Sequence, residues 1–125
     1  MNFPEDLKYT DTHEWVRVEG NLAVVGITDF AQGELGDVVY IDIPELRGVA
    51  KGETFGSIEA VKTVSDLVAP IAGTITEKNP GLESNPETVN SDPYGAGWMI
   101  KMTIGSTDDL AGLLDVASYK ALIGK

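Results

Sequence analysis

One lysine in this chain is framed as a target for chemistry. In the run GSIEAVKTVSDLVAPIAG, residues 56–73, Lys62 stands at the midpoint, with Glu59 three residues before it and Asp66 four after. Phe55 to Ile58 and Leu67 to Ile71 read as β-strands from their β-branched and apolar content, and Pro70 and Gly73 punctuate the second arm. A lysine between two such arms sits at a hairpin tip. Its ammonium is solvated there and its four-carbon stem points away from the body, within reach of another protein. Most lone lysines are only solvated turn residues. The small residues Gly56, Ser57 and Ala60 set this one apart, because they let a modifying enzyme close over it.

Little else in the chain has the residue types that catalysis needs. His13 is the sole histidine, so paired-histidine metal ligation is excluded, and a nucleophile–histidine pair would need His13 with a serine or threonine that no motif supports. There is no cysteine, hence no thiolate nucleophile, no thiolate metal site and no disulfide; any sulfur redox chemistry must come from a cofactor. The GAGW run at 95–98 follows a proline loop and does not open a helix, so it is no phosphate cradle. Carboxylates are plentiful, but twenty acidic residues against nine basic ones are mostly a solvated surface. The chain reads as a non-enzyme without a metal site, carrying chemistry rather than performing it.

The elements that must position Lys62 are mainly strands. His13 to Glu19 alternates, with Val16 and Val18 assigned to one face and Trp15 and Arg17 to the other. Glu19-Gly20-Asn21 makes a turn, and Leu22 to Ile27 returns as the second arm of a hairpin. Thr28 is placed to N-cap a short helix, DFAQGEL, that ends at Gly36. In the strand Asp37 to Ile43, Val39, Ile41 and Ile43 are expected to share a face. Pro44 ends that strand, and ELRGVAKGE is a loop closing in a Lys51-Gly52 turn. Gly81 to Pro93 reads as a surface loop with a short β contact at Val89. Trp98 to Ile104 reads as a strand with Trp98, Ile100, Met102 and Ile104 inward and Met99, Lys101 and Thr103 outward. Ser106 and Asp109 resemble a capping box, followed by Leu110, Leu113, Leu114, Ala117 and Ala121 at helical spacing in a C-terminal helix broken near Asp115 to Ser118. Residues 1–12 are expected to be irregular, anchored by Leu7 and Tyr9.

Composition bounds the partners. A chain of 125 residues with 42% hydrophobic content is the size of one domain, expected over residues 1–125, with its core over about 13–104 and the C-terminal helix over about 106–123. The net charge of -11 opposes phosphate backbones and anionic lipid, so neither nucleic acid nor membrane is an expected partner. No apolar run approaches a membrane span, and MNFPEDLKYT has neither a basic n-region nor Arg-rich character. The expected location is the cytoplasm, or the mitochondrion if a transit peptide has been removed. A monomer is expected, since no long apolar stripe is left over.

The run IEAVKTVSD resembles the lipoyl-lysine site of the glycine cleavage system H-protein family. THEWV at 12–16, GITDFAQGELGDVVY at 26–40 and VNSDPYGAGWMIK at 89–101 resemble further stretches of the same family, in the same order, so the resemblance covers nearly the whole chain. Biotin carrier domains hold their lysine between two methionines, whereas Val61 and Thr63 flank Lys62. The resemblance implies a flattened β-barrel or sandwich hybrid of the lipoyl-domain kind, with a pseudo-twofold relating KGETFGSIE before the lysine to APIAGTITE after it, one short internal helix and a C-terminal helical segment. It implies lipoic acid in amide linkage to Lys62, a flexible arm that visits several active sites. The implied partners are a lipoylating enzyme, the pyridoxal-phosphate glycine decarboxylase that loads an aminomethyl group, the tetrahydrofolate-dependent aminomethyltransferase that removes it, and dihydrolipoyl dehydrogenase. Glu14 and Asp66, helped by Thr12 and His13, match family positions that shelter the loaded arm; Glu59 and Val61 match recognition by the lipoylating enzyme. Ala60 stands where the family often has serine and Val68 where it often has an aromatic residue, which bears only on contact surfaces. Three alternatives remain open: relay of lipoyl groups to 2-oxoacid dehydrogenases, a biotin carrier, and a purely structural or interaction β domain whose Lys62 stays unmodified.

Overall fold

The computed structural model describes residues 2–125. Along the chain lie β1 (Lys8–Tyr9), β2 (Glu14–Glu19), β3 (Leu22–Ile27), α1 (Asp29–Leu35), β4 (Val38–Asp42), β5 (Gly48–Val49), β6 (Thr54–Ala60), β7 (Val64–Val68), β8 (Gly73–Lys78), α2 (Gly81–Ser84), α3 (Thr88–Ser91), β9 (Ile100–Thr103), α4 (Thr107–Ala111) and α5 (Val116–Ile123). The strands form a six-stranded sheet in the order β1-β2-β3-β9-β8-β5 and a three-stranded sheet in the order β4-β6-β7. The mainly β reading holds, but the two sheets do not close into a barrel. The two repeat-like segments fall in different sheets, one as β6 and the other as β8.

Apolar side chains from both sheets meet in one cluster, with Val16, Val25, Ile100, Met102 and Ile75 from the larger sheet facing Ile41, Phe55, Ile58 and Leu67 from the smaller. A second cluster covers the other face of β1-β2-β3: Leu7, Tyr9, Trp15, Val24 and Tyr119, with Phe3, Tyr94, Trp98 and Val116 at its margin. Both faces at the start of β2 are therefore buried. The expected split of Val16 and Trp15 between two faces holds, but the strand is not half-buried: Trp15 is fully buried, while Val18, beyond the reach of either cluster, is 46% exposed. Trp15 donates from Nε1 to the Pro93 carbonyl at 2.9 Å, which satisfies its one polar atom.

Opposite Trp15 in the β2–β3 ladder stands Gly26, and a methyl group there would lie 2.7 Å from the indole ring. Gly26→Ala is expected to cost about 1–3 kcal/mol, since neither the ring nor the central strand has room to yield. Urea unfolding monitored by tryptophan fluorescence checks it; an unchanged midpoint would contradict the packing described here.

Other differences from the sequence-based expectations have local causes. A bulge between Val38 and Tyr40 shifts the β4 register, so Val38, Ile41 and Ile43 point inward and Val39 is exposed. The second arm of the lysine hairpin begins at Val64 and ends at Val68, earlier than the apolar run 67–71 suggested; Ala69 and Ile71 are buried outside any strand. Between 81 and 91 the chain forms α2 and α3, which bury Leu82 and Val89, instead of a loop with a β contact. Single helical turns are too short to show a period. Met99 precedes β9 and is buried, with Trp98 only partly so. Ser106 does cap α4 through the Asp108 amide, but the Asp109 carboxylate accepts from the Ala72 amide instead of closing a capping box. The C-terminal helix breaks at Gly112–Asp115, where Leu114 bridges to Tyr9, and the residue that α5 buries is Tyr119.

Candidate functional site

Lys62 occupies the tip of the β6–β7 hairpin, closed by the Ala60 amide donating to the Thr63 carbonyl at 2.8 Å. Residues 61–63 are exposed, and among the described residues Lys62 forms no ion pair. Its stem runs past the end of α1: a methyl group on Gly36 would stand 3.3 Å from Lys62 Cε. Gly36 has a φ of 80°, which glycine adopts without strain, and it stops α1 where the lysine passes. Asn90 on α3 braces that corner, donating to the Gln32 side chain and the Gly36 carbonyl and accepting from the Val38 amide.

Beside the lysine, a cleft of about 370 Å³ opens between the Thr12–Glu14 segment, α1 and β7. Its walls are largely apolar, with Ile27, Phe30, Leu35, Ile58 and Leu67, and its polar groups include Thr12, His13, Glu14, Glu34 and Asp66. The structure thus brings four of the sequence-proposed residues, Thr12, His13, Glu14 and Asp66, round one cavity. Asp66 is exposed and stands at the rim, opposite Ser57 in the ladder. Glu59 and Val61 lie outside the cleft. Glu59 alternates away from the buried Ile58, on a face where Tyr40, Glu59 and Val64 form one cross-strand row. Tyr40 is 56%, Val64 62% and Val61 75% exposed, so the lysine is flanked by an apolar patch with Glu59 set in it.

Glu14 is the most unusual group. It is almost fully buried, and its Oε1 accepts hydrogen bonds from the Thr10 hydroxyl, at 2.7 Å, and from the Thr12 hydroxyl. Burial opposes the charged form more strongly than these two bonds favour it, and the carboxyl is pushed up to about 7. A cation entering the cleft would draw the proton off and pair with the carboxylate. His13 has its backbone in the left-handed region, φ 70°, and burial pulls its imidazole below the usual histidine range. Its Nδ1 is 2.9 Å from the Tyr119 hydroxyl, which lies 2.8 Å from Thr28 Oγ1. Thr28 in turn accepts from the Ala31 amide as the N-cap of α1.

Sequence reasoning missed Phe30, Glu34, Ser65 and Tyr119. Phe30 and Glu34 are one helical turn apart on α1, so helical spacing could have put them on the face presented to Glu14. No local signal connects Tyr119 with a histidine 106 residues earlier.

A family model described as glycine cleavage H-protein matches residues 7–125. A glycine cleavage system H protein of Bacteroides fragilis is 57% identical over 124 residues, covering 98% of both chains, and one of Symbiobacterium thermophilum is 53% identical over 121 residues, covering 96% of this chain and 94% of the relative. A crystal structure of a glycine cleavage system H protein from Mycobacterium marinum superposes with a TM-score of 0.86 at 38% identity, covering 98% of this chain and all of that one. By sequence over nearly its whole length and by fold, the chain belongs to the glycine cleavage H-protein family.

Proposed function

We propose that this protein is the lipoyl carrier of a glycine cleavage system, with lipoic acid in amide linkage to Lys62. The observation that supports it best is the juxtaposition of a free, exposed lysine at a hairpin tip with an apolar cleft that holds a buried acid. The residues fit the group. Lys62 is reachable from outside, and the Phe30, Leu35, Ile58 and Leu67 walls would accept a hydrocarbon arm. When bound, the lipoyl group supplies a disulfide able to take up the aminomethyl group of glycine as carbon dioxide leaves. The protein's own task is transport without loss. Its cleft restricts water, Glu14 offers a carboxylate to a protonated amine, Thr10 and Thr12 hold that carboxylate in place, and Asp66 adds a second acid at the rim.

The partners in this reading are the glycine decarboxylase, the aminomethyltransferase, dihydrolipoyl dehydrogenase and the lipoylating enzyme. The protein works as a non-catalytic carrier subunit in the cytoplasm; no helix among the described residues is long and apolar enough to cross a membrane. Glu59 and Val61, with Tyr40 and Val64 beside them, form the surface that the lipoylating enzyme reads. Glu59→Gln is expected to lower kcat/KM for lipoylation about tenfold at low salt, a difference that narrows as ionic strength rises. Equal rates at every salt concentration would remove Glu59 from recognition. The carrier reading itself is tested with the lipoylated protein and a glycine decarboxylase. Labelled carbon dioxide is expected to exchange into glycine in saturable dependence on this protein, and no exchange above the decarboxylase alone would refute the reading.

A further inference from the structure

The hydroxyl of Tyr119 is a buried polar group near the cleft that the carrier reading does not use. Tyr119 lies on α5, at the far end of the chain, and lines no part of the cavity. Its ring is fully buried, stacked on Tyr9 at 4.8 Å and edge-on to Phe3 at 5.8 Å, which suffices to anchor α5. Packing alone would be served equally by phenylalanine. The hydroxyl instead lies between His13 Nδ1 and Thr28 Oγ1, and by donating to one and accepting from the other it satisfies both.

His13 lies in one wall of the cleft, and Thr28 caps the helix that forms another. His13 sits between Thr12 and Glu14, in a left-handed backbone conformation that costs a β-substituted residue about 1–2 kcal/mol. Its ring is held between Phe30, at 5.1 Å, and Tyr119, at 5.8 Å. Thr28 caps the helix that carries Phe30 and Glu34. Besides this bridge, the His13 carbonyl accepts from the Thr28 amide at 3.0 Å. We infer that Tyr119 is a positioning residue: through His13 and Thr28 its hydroxyl sets the spacing of the two cleft walls, and with it the place of the Glu14 carboxylate. The inference rests on the sheltering role proposed for that cleft.

Tyr119→Phe deletes the hydroxyl and keeps the ring; Tyr119→Leu deletes both. Two readouts are taken on lipoylated protein. The first is nitrogen NMR of the imidazole, which is unambiguous because His13 is the sole histidine. In the wild type the two ring nitrogens are expected at well-separated shifts, as in one fixed tautomer; in both variants they are expected to converge. The second uses dihydrolipoyl protein charged with formaldehyde and ammonia, R–SH + CH2O + NH3 → R–S–CH2–NH2 + H2O, and follows the reverse hydrolysis as ammonia released. Both variants are expected to release ammonia about tenfold faster than the wild type, and by similar factors although the leucine variant alone unfolds much more readily. Wild-type-like tautomer and release in Tyr119→Phe, with loss only in Tyr119→Leu, would reduce Tyr119 to core packing and overturn the inference. Release from the wild type as fast as from the urea-unfolded protein would instead overturn the sheltering role on which it rests.

Discussion

Glu14→Gln is expected to make the protein more stable at pH 8 and a worse carrier. In the folded state burial raises the Glu14 carboxyl from its ordinary 4.5 to about 7. The folded protein therefore holds this proton more tightly than the unfolded chain does. Folding takes up a proton between about pH 4.5 and 7, so the contribution of Glu14 turns increasingly unfavourable as pH rises through that window and levels off above it. A shift of this size corresponds to about 3 kcal/mol of destabilisation at pH 8. Glutamine is neutral throughout and its carbonyl can still accept from Thr10 and Thr12. Urea unfolding should show the variant about 2–3 kcal/mol more stable than wild type at pH 8, with the two nearly equal at pH 4.5. The same substitution removes a charge-assisted partner of the cargo amine, worth about 1.5–3 kcal/mol, so ammonia release from the loaded arm should accelerate about ten- to a hundredfold. A variant with the wild-type pH slope, or with unchanged release, would show that Glu14 is not the buried acid that holds the amine. The destabilisation is the kind expected of a functional site, where a group is kept in an environment that suits its task and not the fold.

Lys62→Arg should abolish carriage completely while leaving the fold intact. Arginine keeps the positive charge and most of the stem, but its guanidinium stays protonated and accepts no acyl group in place of the amine. Because the side chain is at an exposed hairpin tip, the change in stability should be within about 0.5 kcal/mol. Lipoylation and glycine–carbon dioxide exchange should both fall to background. Exchange surviving in Lys62→Arg would place the arm on another of the protein's lysines.

What the sequence made legible and what it hid divide along physical lines. Lys62 was readable because a hairpin tip is a local feature: two β-prone arms and small neighbours lie within eighteen residues. Thr28 and Gly36 were readable for the same reason, since cap chemistry is written within one helical turn. Thr12, His13, Glu14 and Asp66 came from resemblance to a family, and spacing alone would not have joined residues 12–14 to residue 66. The bulge in β4, which moved Val39 from the core to the surface, has no marker in an alternating run of valine, tyrosine and isoleucine. Trp15 and Val16 do lie on opposite faces, but the strand is covered on both, the second face by the N-terminal segment and α5, whereas period-2 reasoning assumes one wet face. The Tyr119–His13–Thr28 bridge is wholly non-local. Only the packing of α5 over the first hairpin puts those three groups together.

The central claim is that Lys62 carries a lipoyl group, and it is tested most directly by the intact mass of the protein purified from its own organism, with tandem mass spectrometry to locate any adduct. The account predicts one lipoyl increment, on Lys62 and on no other residue. A biotinyl increment there, or an unmodified Lys62 in cells whose other lipoyl proteins are fully modified, would contradict it.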